Sequence, residues 1–553
     1  MALVLLFALV AICAAIVLKI GSREKGLPPG PPTVPILGNA HIFPTEFPHY
    51  KFTEWARQYG GLFSLKIGQD TVVVLTDAAA VKDLMDKRSS TTADRPPSYL
   101  GELVTNGLHM ALARFTPAWK TERRAAAAIL TPQATSQHLP IQRAEATQLL
   151  HNILHSPQAS LYYNFEPIFT QFARYSISVI YSVLHGRRVP QYETEEITGY
   201  IAVMHEWSAL LEPGAVPPVD AIPILKRIPE RWAKWKRDCK RVRNLQRARY
   251  SRLVEETRER MRRNQHNGSF MEDILERQAE LGMDDEMTSW FGGTLLEGGT
   301  DTTTSYLQSL VLALIAYPEV QKKAHEEIDR MVGEHRMPTL KDLEQMPYIR
   351  AIISETHRFR PVAPLGAPHA TLATEEYHGY IIPKGTTIFV NMCEFISFKV
   401  KQSLFDNPED FMPERYLLSE NGTKPGVDGS DLKSTFPFGF GRRICPGRYL
   451  AQNSIDLNVM NLLWAFNLKP DIDTNGNPIP VDTFAYRKGL STAPLPFKCR
   501  ITPRTVAKAG IIENEFLETA DTFSKFEVGL SPEDKEFVAR SRNTLTEAKL
   551  LLG

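Results

Sequence analysis

Residues 438–447 read FGFGRRICPG, and this stretch decides more about the fold than any other part of the chain. Cys445 lies there in a loop rich in glycine and arginine, and an apolar helical pattern follows from about Arg448 to Phe466. A helix start offers unpaired N–H groups and a positive dipole end, so it stabilises a thiolate. Glycine lets the backbone approach a flat partner closely. The ordinary interpretation of a lone cysteine is a buried free thiol in a turn, and that alternative stays open at this point.

The composition is that of a globular protein. The chain has 553 residues, of which 43% are hydrophobic and 23% are charged, and its net charge is +1. A charge this close to zero gives no global attraction to nucleic acid, so we expect no nucleic-acid partner. The five cysteines are far apart and odd in number, with no C-x-x-C pair. This pattern argues against a disulfide framework or a zinc site and fits a reducing compartment.

The N-terminal segment predicts a membrane anchor. Residues 2–18 are uncharged and nearly all apolar, and basic residues follow but do not precede them. The positive-inside rule then places the body on the cytosolic side of the membrane. A cleaved signal peptide is the alternative, but its usual basic leading end is absent. We predict an anchor over residues 1–20 and a stiff Pro-rich hinge over residues 21–35, which contains LPPGPP at 27–32.

Most of the remaining chain has helical spacing, which predicts a mainly α fold with a small β-rich part, much of it in the N-terminal third. Two segments, 63–75 and 380–390, have the pattern of strands around a turn. The predicted helices are Ala78–Met85, Glu145–Leu154, Arg231–Arg263, Asp285–Ala316, Glu319–Val332 and Tyr348–Phe359.

A second motif, LLEGGTDTTT at residues 295–304, lies inside the longest helical pattern. Two glycines in a helix interior are unfavourable, and hydroxyls there compete for the i−4 carbonyl and open the helix locally. Such an opening makes room for a small ligand, and Asp301 and Thr302 carry side chains suited to general-acid work. The alternative is a close helix crossing that the glycines permit.

Two further pairs have helical spacing. Glu355 and Arg358, at i and i+3, share a helix face and can form a salt bridge, which by itself is an everyday surface feature. Trp119 and Arg123, at i and i+4, can both donate to a carboxylate, and Arg123 can do so with two N–H groups.

The spacing F-x-x-G-x-R-x-C-x-G over residues 438–447 resembles the haem-ligand signature of the cytochrome P-450 family. The other motifs occur in that family's order, and the resemblance covers residues 1 to about 502, most closely to fungal microsomal members. It implies a cytochrome P-450 fold, with one large haem-thiolate monooxygenase domain over residues 36–502. It also implies heme b (iron protoporphyrin IX) as the cofactor and Cys445 as the axial ligand of its iron.

The resemblance assigns roles to further residues. Thr302 would hold the oxygen and its water, and Asp301 would belong to the proton-delivery path. Glu355, Arg358 and Arg415 would form a buried structural network. The residues that would bind the haem, besides the ligand Cys445, are Trp119, Arg123, His369, Phe438, Arg443 and Gly447.

The activity implied is insertion of one atom of O2 into a lipophilic small molecule, in fungal secondary metabolism and at the endoplasmic reticulum membrane. The chain has no G-x-G-x-x-G nucleotide fingerprint, so electrons from NADPH would come through a separate flavoprotein, NADPH–cytochrome P-450 reductase, with cytochrome b5 as a second donor. A haem-thiolate isomerase or dehydratase, and a non-catalytic haem-binding protein, are the alternatives. The expected substrate pocket draws on Pro97–Leu112, Met204–Leu211, Trp290–Leu296, Val362–Pro368 and Arg487–Thr492.

Two segments depart from the family pattern. Residues 393–402 read CEFISFKVKQ, which indicates either a retained intron fragment or a genuine divergence. Either would disturb the packing around Arg415. If that packing is lost and the haem site with it, the non-catalytic alternative would follow. Residues 503–553 extend past the usual family end; the helical spacing of 511–552 predicts an added helical element or a disordered extension of unknown role.

Overall fold

A computed structural model of the protein describes residues 19–155, 166–212, 214–393 and 404–552. Nearly all of the predicted membrane anchor and of the divergent segment 393–402 lies outside these residues. No helix within the described ranges is long and apolar enough to cross a membrane.

Helices dominate the described chain, as the sequence predicts. The first half contains α1 Pro48–Tyr59, α2 Ala78–Val81, α3 Ser89–Thr92, α4 Tyr99–Thr105, α5 Pro117–Ile129, α6 Pro132–Ser136, α7 Leu139–Leu154, α8 Glu166–His185, α9 Glu195–Leu211 and α10 Lys234–Arg262. The second half contains α11 Phe270–Glu276, α12 Gln278–Leu281, α13 Asp285–Ala316, α14 Pro318–Met331, α15 Leu340–Leu343, α16 Pro347–Phe359, α17 Arg415–Leu418, α18 Arg448–Ala465, α19 Val506–Glu518, α20 Ala520–Ser524 and α21 Pro532–Leu552.

The strands form three small sheets. They are β1 Leu62–Ile67, β2 Asp70–Leu75, β3 His369–Ala370, β4 Glu375–Tyr377, β5 Tyr380–Ile382, β6 Thr387–Val390, β7 Phe466–Pro470 and β8 Cys499–Pro503. The largest has the order β1-β2-β6-β3, with β2 and β6 parallel, whereas β4 pairs with β5 and β7 with β8.

The predicted hairpin at residues 63–75 is confirmed, with Phe63 opposite Val74 across an antiparallel pair. The pairing suggested for residues 380–390 is wrong, because β5 and β6 join different sheets. The expectation that much of the sheet lies in the N-terminal third is also wrong, since only β1 and β2 of the described strands are there. Local pattern identifies a strand, but the choice of partner is made by the tertiary fold.

The longest described helix, α13, forms the centre of the molecule. Its 32 residues span about 48 Å, and Asp284 caps its first turn by accepting from the backbone N–H of Met287 at 2.7 Å. Most of its residues are buried on all sides, which is typical of a helix inside a large core. It packs against α8, α10 and α18, so the helix that follows the cysteine loop is held against the central helix.

The Pro-rich hinge is part of the folded body. Ser64 of β1 donates its backbone N–H to the carbonyl of Pro29 at 2.7 Å and its hydroxyl to that of Pro28 at 2.6 Å. Arg23 donates to the carbonyl oxygens of Gly30 and Pro31, at 2.8 and 3.0 Å. The segment therefore lies along β1, and its stiffness adds to this docking.

The C-terminal extension is helical and packs against the body. Of the two alternatives left by the sequence, the added helical element is the one observed. Ile512 of α19 is fully buried, and Arg188 donates to Glu145 at 3.0 Å and to Glu527 of the extension at 2.9 Å. The guanidinium of Arg188 also lies 3.3 Å from the ring centroid of Phe523. The extension thus covers α7 and the end of α8 and completes the core there.

Candidate active site

The cysteine-bearing loop lies between a short 3-10 helix, Gly441–Arg443, and the first turn of α18. The backbone N–H of Cys445 donates to the carbonyl of Phe438 at 2.7 Å and closes the loop on itself. Gly441 has φ +48°, and a Cβ there would lie 2.4 Å from the carbonyl oxygen of Met85, so a larger residue would displace the backbone. The loop therefore has a defined shape, with Cys445 half-buried beside the helix start.

The thiol of Cys445 is not poised to ionise alone. Burial raises its pKa, against the weaker opposing effects of the Gly447 backbone N–H and the charges of Arg123 and Arg448. The sequence predicts a thiolate stabilised by the helix start; for the free thiol, burial opposes this ionisation, so the thiolate would depend on a bound partner. A thiol that coordinates a metal ion is deprotonated by that ion. The sulfur therefore fits the role of a metal ligand.

Three arginines, Arg95, Arg123 and Arg443, converge beside this loop. None of them forms a salt bridge with a carboxylate among the described residues. Burial lowers the pKa of Arg443 to about 8, and the like charge of Arg95 adds to the effect. Their acceptors are all backbone carbonyl oxygens: those of Ala93, Met110 and Ala113 for Arg443, of Ala111, Ala367 and Pro368 for Arg95, and of Ile444 for Arg123.

Arg95 is buried and the other two are partly buried, so this concentration of positive charge favours an anion, because the guanidinium groups have lost part of their water without gaining a carboxylate. The sequence singled out Arg123 and Arg443 but missed Arg95. Arg95 lies in an ordinary DRPP stretch at residues 94–97, and no local signal marks it. Its membership depends on a contact with residues 367 and 368, far along the chain.

Trp119 and His369 lie at the same place, as predicted. The ring centroid of Trp119 is 4.0 Å from the Arg443 guanidinium, while its indole N–H donates to the carbonyl of Met110 at 3.0 Å. His369 Nδ1 lies 3.0 Å from the carbonyl oxygen of Thr92. Burial holds the pKa of His369 well below its ordinary value, so its imidazole is neutral. The indole N–H of Trp119 is thus already used in its hydrogen bond to the Met110 carbonyl.

Phe438 and Gly447 lie at the two ends of the loop. The ring of Phe438 contacts that of His357 on α16 edge-on, with 5.6 Å between centroids. Gly447 caps α18, and a Cβ built there would meet no atom of another residue within 4 Å. The loop therefore has open space on the side of Gly447.

The glycines in the centre of α13 are of two kinds: some lie at close helix contacts, and one faces open space. A Cβ on Gly293 would lie 2.3 Å from the Tyr250 ring, and one on Gly299 would lie 2.6 Å from Ile180, so these two glycines permit close helix crossings. By contrast, a Cβ on Gly298 would meet nothing within 4 Å. The close helix crossing that the sequence offered as the alternative is thus present at Gly299, whereas Gly298 leaves open space beside the helix.

Asp301 and Thr302 are exposed, as is Gly298 one turn earlier, although they lie in the middle of a helix most of whose residues are buried. Thr302 Oγ1 donates to the Gly298 carbonyl at 2.9 Å, the i−4 bond that the sequence predicts. The helix nevertheless continues through these residues, so the predicted local opening is not observed. Asp301 accepts a hydrogen bond from Ser491 and lies 3.9 Å from Arg487. Its carboxylate therefore joins the central helix to a surface segment.

Glu297, one turn before Asp301, is the centre of a polar cluster that the sequence did not reveal. Its Oε2 lies 3.0 Å from His109 Nε2, and its Oε1 accepts from Gln246 at 3.1 Å and from the hydroxyl of Tyr250. Glu297 is in the quoted motif, but its three partners come from the loop after α4 and from α10. The cluster holds that loop against α13.

The predicted network of Glu355, Arg358 and Arg415 is present and buried. Arg358 donates to both carboxylate oxygens of Glu355, at 2.6 and 2.8 Å, and Arg415 donates at 3.2 Å. Arg358 also donates to the carbonyl oxygen of Pro408 at 2.7 Å, and Arg415 donates to that of Asp406 at 2.8 Å. The network joins α16 to the segment before α17, which agrees with a structural role.

The predicted pocket segments behave differently from one another. Leu100 and Trp207 belong to one apolar cluster, and the Trp207 ring lies 6.3 Å from that of His109. Trp290 is fully buried against Tyr250, so it belongs to the core, whereas Leu490 is exposed. Apolar character alone did not distinguish a pocket wall from ordinary core.

The residues present fit a haem. A half-buried sulfur, three arginines without carboxylate partners and the open space beside Gly447 and Gly298 are the donor, the counter-charges and the room that an iron porphyrin with two propionates needs. Cys445 would hold the iron, and Arg95, Arg123 and Arg443 would meet the propionates. The fold and this site together define a haem-thiolate protein.

Comparison with known proteins agrees. Residues 28–500 match the cytochrome P-450 family. A cytochrome P-450 monooxygenase of Armillaria gallica is 42% identical over 513 residues, which is 92% of this chain and 96% of that protein. The monooxygenase macC of Penicillium terrestre is 36% identical over 511 residues, 90% and 93% of the two chains. The monooxygenase atE of Aspergillus terreus is 38% identical over 456 residues, 82% and 83%.

The chain therefore belongs to the cytochrome P-450 family. It is an oxygenase enzyme with a haem cofactor, and membership implies O2, a small-molecule substrate and a redox partner.

Proposed function

We propose that the protein is a membrane-anchored monooxygenase that takes electrons from NADPH through a separate reductase and oxidises a lipophilic small molecule in fungal secondary metabolism. The observation that carries the proposal is the exposure of Asp301 and Thr302 in the middle of a buried helix, in the same body as the Cys445 loop. The similarity to monooxygenases of several fungi supports it. The bound haem would supply the oxidising chemistry.

Thr302 is suited to handle a proton at its hydroxyl. It donates to the Gly298 carbonyl, which leaves the oxygen lone pairs available to accept from water. Asp301, the preceding residue on the helix, is also exposed, accepts a hydrogen bond from Ser491 and lies 3.9 Å from Arg487. The pair thus provides a route for protons from solvent to the interior.

A cationic surface beside the cysteine loop suits the proposed reductase. Arg123 donates to the carbonyl of Ile444 and so fixes α5 against the loop. Lys120 and Arg124 on the same helix, and Arg442 in the loop, are exposed. We expect an acidic partner surface to dock there, with an association rate that falls as salt rises.

The membrane location is proposed from the sequence of residues 1–18 and the basic residues that follow. The docking of the hinge on β1 would then hold the body at a fixed position relative to the endoplasmic reticulum membrane, on its cytosolic side.

The test begins with the carbon monoxide difference spectrum of the reduced protein. A strongly red-shifted Soret band is expected from thiolate-bound haem, and its absence would overturn the haem-thiolate function. Product formation and NADPH consumption are then measured with a reductase for the wild type, Thr302→Ala and Thr302→Ser.

Thr302→Ala should keep the spectrum but lower the product rate by about 100-fold, since a positioned proton donor contributes at least that much. Thr302→Ser, which keeps a hydroxyl, should restore most of the rate. Full product formation by Thr302→Ala with a normal spectrum would contradict the role of Thr302 but not the haem-thiolate function.

A further inference from the structure

The extension after residue 503 brings a carboxylate to two histidines of the body. His151 is in the last turn of α7 and His155, four residues on, is the residue that ends the helix, so the two histidines lie close together. Glu513 of α19 reaches them, with its Oε2 3.4 Å from His151 Nε2 and its Oε1 in contact with His155 Nε2. One nitrogen from each histidine and a carboxylate oxygen all lie within 4.8 Å of one another.

Hydrogen bonding leaves part of this cluster unsatisfied. The two ring nitrogens of His151 and the Oε2 of Glu513 are buried and form no hydrogen bond of good geometry among the described residues, although His151 Nε2 and Glu513 Oε2 lie 3.4 Å apart and attract each other. The His151 ring is held by stacking on Phe516, with 4.2 Å between centroids and 18° between planes. Buried polar atoms normally have a partner, so these atoms indicate a missing one.

The spacing suits a metal ion. Zinc bonds to histidine nitrogen and carboxylate oxygen at about 2.0–2.2 Å, so two ligand atoms of a tetrahedral site lie about 3.3 Å apart. The 3.4 Å between His151 Nε2 and Glu513 Oε2 matches that edge. His155 is half exposed, which gives the ion a route from solvent and leaves room for a water as fourth ligand.

We propose that His151, His155 and Glu513 bind a divalent transition-metal ion, zinc by ligand type, which fastens the C-terminal extension to α7. The cysteine pattern argues against a zinc site built from cysteines. The proposed ligands are instead two histidines four residues apart and a glutamate 358 residues after the second of them. The extension is already held by Ile512 and by the Arg188–Glu527 pair, so the ion adds to an existing contact.

The test uses the full-length, haem-loaded protein. It is equilibrated with a slight excess of zinc, freed of loose metal, and analysed by mass spectrometry for zinc and iron in the same sample, so that haem iron counts the folded molecules. The variants are His155→Ala, His151→Gln with His155→Gln, and the control His335→Ala, which removes an exposed histidine between α14 and α15.

We expect one zinc per haem iron in the wild type and in His335→Ala. Loss of even an outer-shell partner of a metal ligand lowers affinity 10- to 100-fold, so His155→Ala should lower zinc affinity by about 100-fold or more. The double variant should bind none, while all variants keep the carbon monoxide spectrum of the wild type. Zinc that is absent from the wild type, or equal in the wild type and the double variant, would overturn the proposal.

Limited proteolysis supplies a second measurement that needs no haem. With zinc present, the wild-type extension should be cleaved several-fold more slowly than after treatment with a chelator, and the double variant should show no difference. A wild-type cleavage rate that does not respond to zinc would show that the ion does not fasten the extension.

Discussion

Two groups of arginines that are buried or partly buried have the same side chain and opposite surroundings. The carboxylate-bound arginines, Arg358 and Arg415, both donate to Glu355. The carbonyl-bound arginines, Arg95, Arg123 and Arg443, hydrogen-bond only to backbone oxygens among the described residues. A carbonyl satisfies an N–H group but does not neutralise a charge. The first group is therefore complete within the protein, whereas the second is suited to an anion from outside it.

The largest effect is expected from removing the shared acid of the first group. Glu355→Ala leaves two buried cations without a counter-charge, which should lower the free energy of unfolding by about 3–5 kcal/mol. Denaturant unfolding and the yield of haem-loaded protein measure it. Glu280→Gln, which removes an exposed partner of Arg277, is the control and should change neither. Equal stability of Glu355→Ala and the control would show that the network is not structural.

A smaller effect, of a different kind, is expected in the second group. Arg443→Met keeps an unbranched, flexible side chain, shorter by two atoms, and removes the charge. Hydrogen bonds to charged groups contribute about 1.5–3 kcal/mol, so haem affinity should fall about 10- to 100-fold. Haem transfer to apomyoglobin measures it.

If the stability of the haem-free chain falls far less in Arg443→Met than in Glu355→Ala, the two groups of arginines have different roles, one in stability and one in haem binding. Unchanged haem retention together with a large loss of stability would instead place Arg443 among the structural arginines.

The smallest effect, taken over one pH unit, concerns Glu122, the buried acid beside the carbonyl-bound arginines. Burial raises its pKa to about 9, with Arg443 opposing, and neither carboxylate oxygen has a hydrogen-bond partner among the described residues. From about pH 4.5 to 9 the folded state holds a proton that the unfolded state has released, so stability falls as pH rises, by up to about 1.4 kcal/mol per pH unit.

Glu122→Gln stays neutral in both states and should lose this dependence. Its melting temperature should therefore exceed that of the wild type by more at pH 8 than at pH 6. A gap that is constant with pH would show that Glu122 is charged in the folded protein and is a counter-ion of the arginines.

Several parts of the site could be predicted because their residues are close in sequence. The cysteine loop, the Glu355–Arg358 pair and the motif at residues 295–304 each lie within one short stretch of sequence. Within such a stretch, spacing alone sets which side chains meet. The course of α13 was predicted to the residue, from Asp285 to Ala316, since its apolar pattern is long and its ends carry clear signals.

Contacts between distant segments could not be predicted in this way. Arg95 joins Arg443, Glu297 finds His109 and Tyr250, and Glu513 reaches two histidines only after the chain has folded. The raised pKa of Cys445 belongs to the same class, because burial is a property of everything packed around the thiol.

The sequence by itself thus determined the family, the cysteine that would hold the iron, the central helix and its Asp301–Thr302 pair. The tertiary structure alone decided which arginines lack a carboxylate, which strands pair beyond the β1–β2 hairpin, and that the C-terminal extension is docked. The physical reason is that local spacing fixes neighbours along one helix or strand, whereas charge balance and burial depend on the sum of contacts from the whole fold.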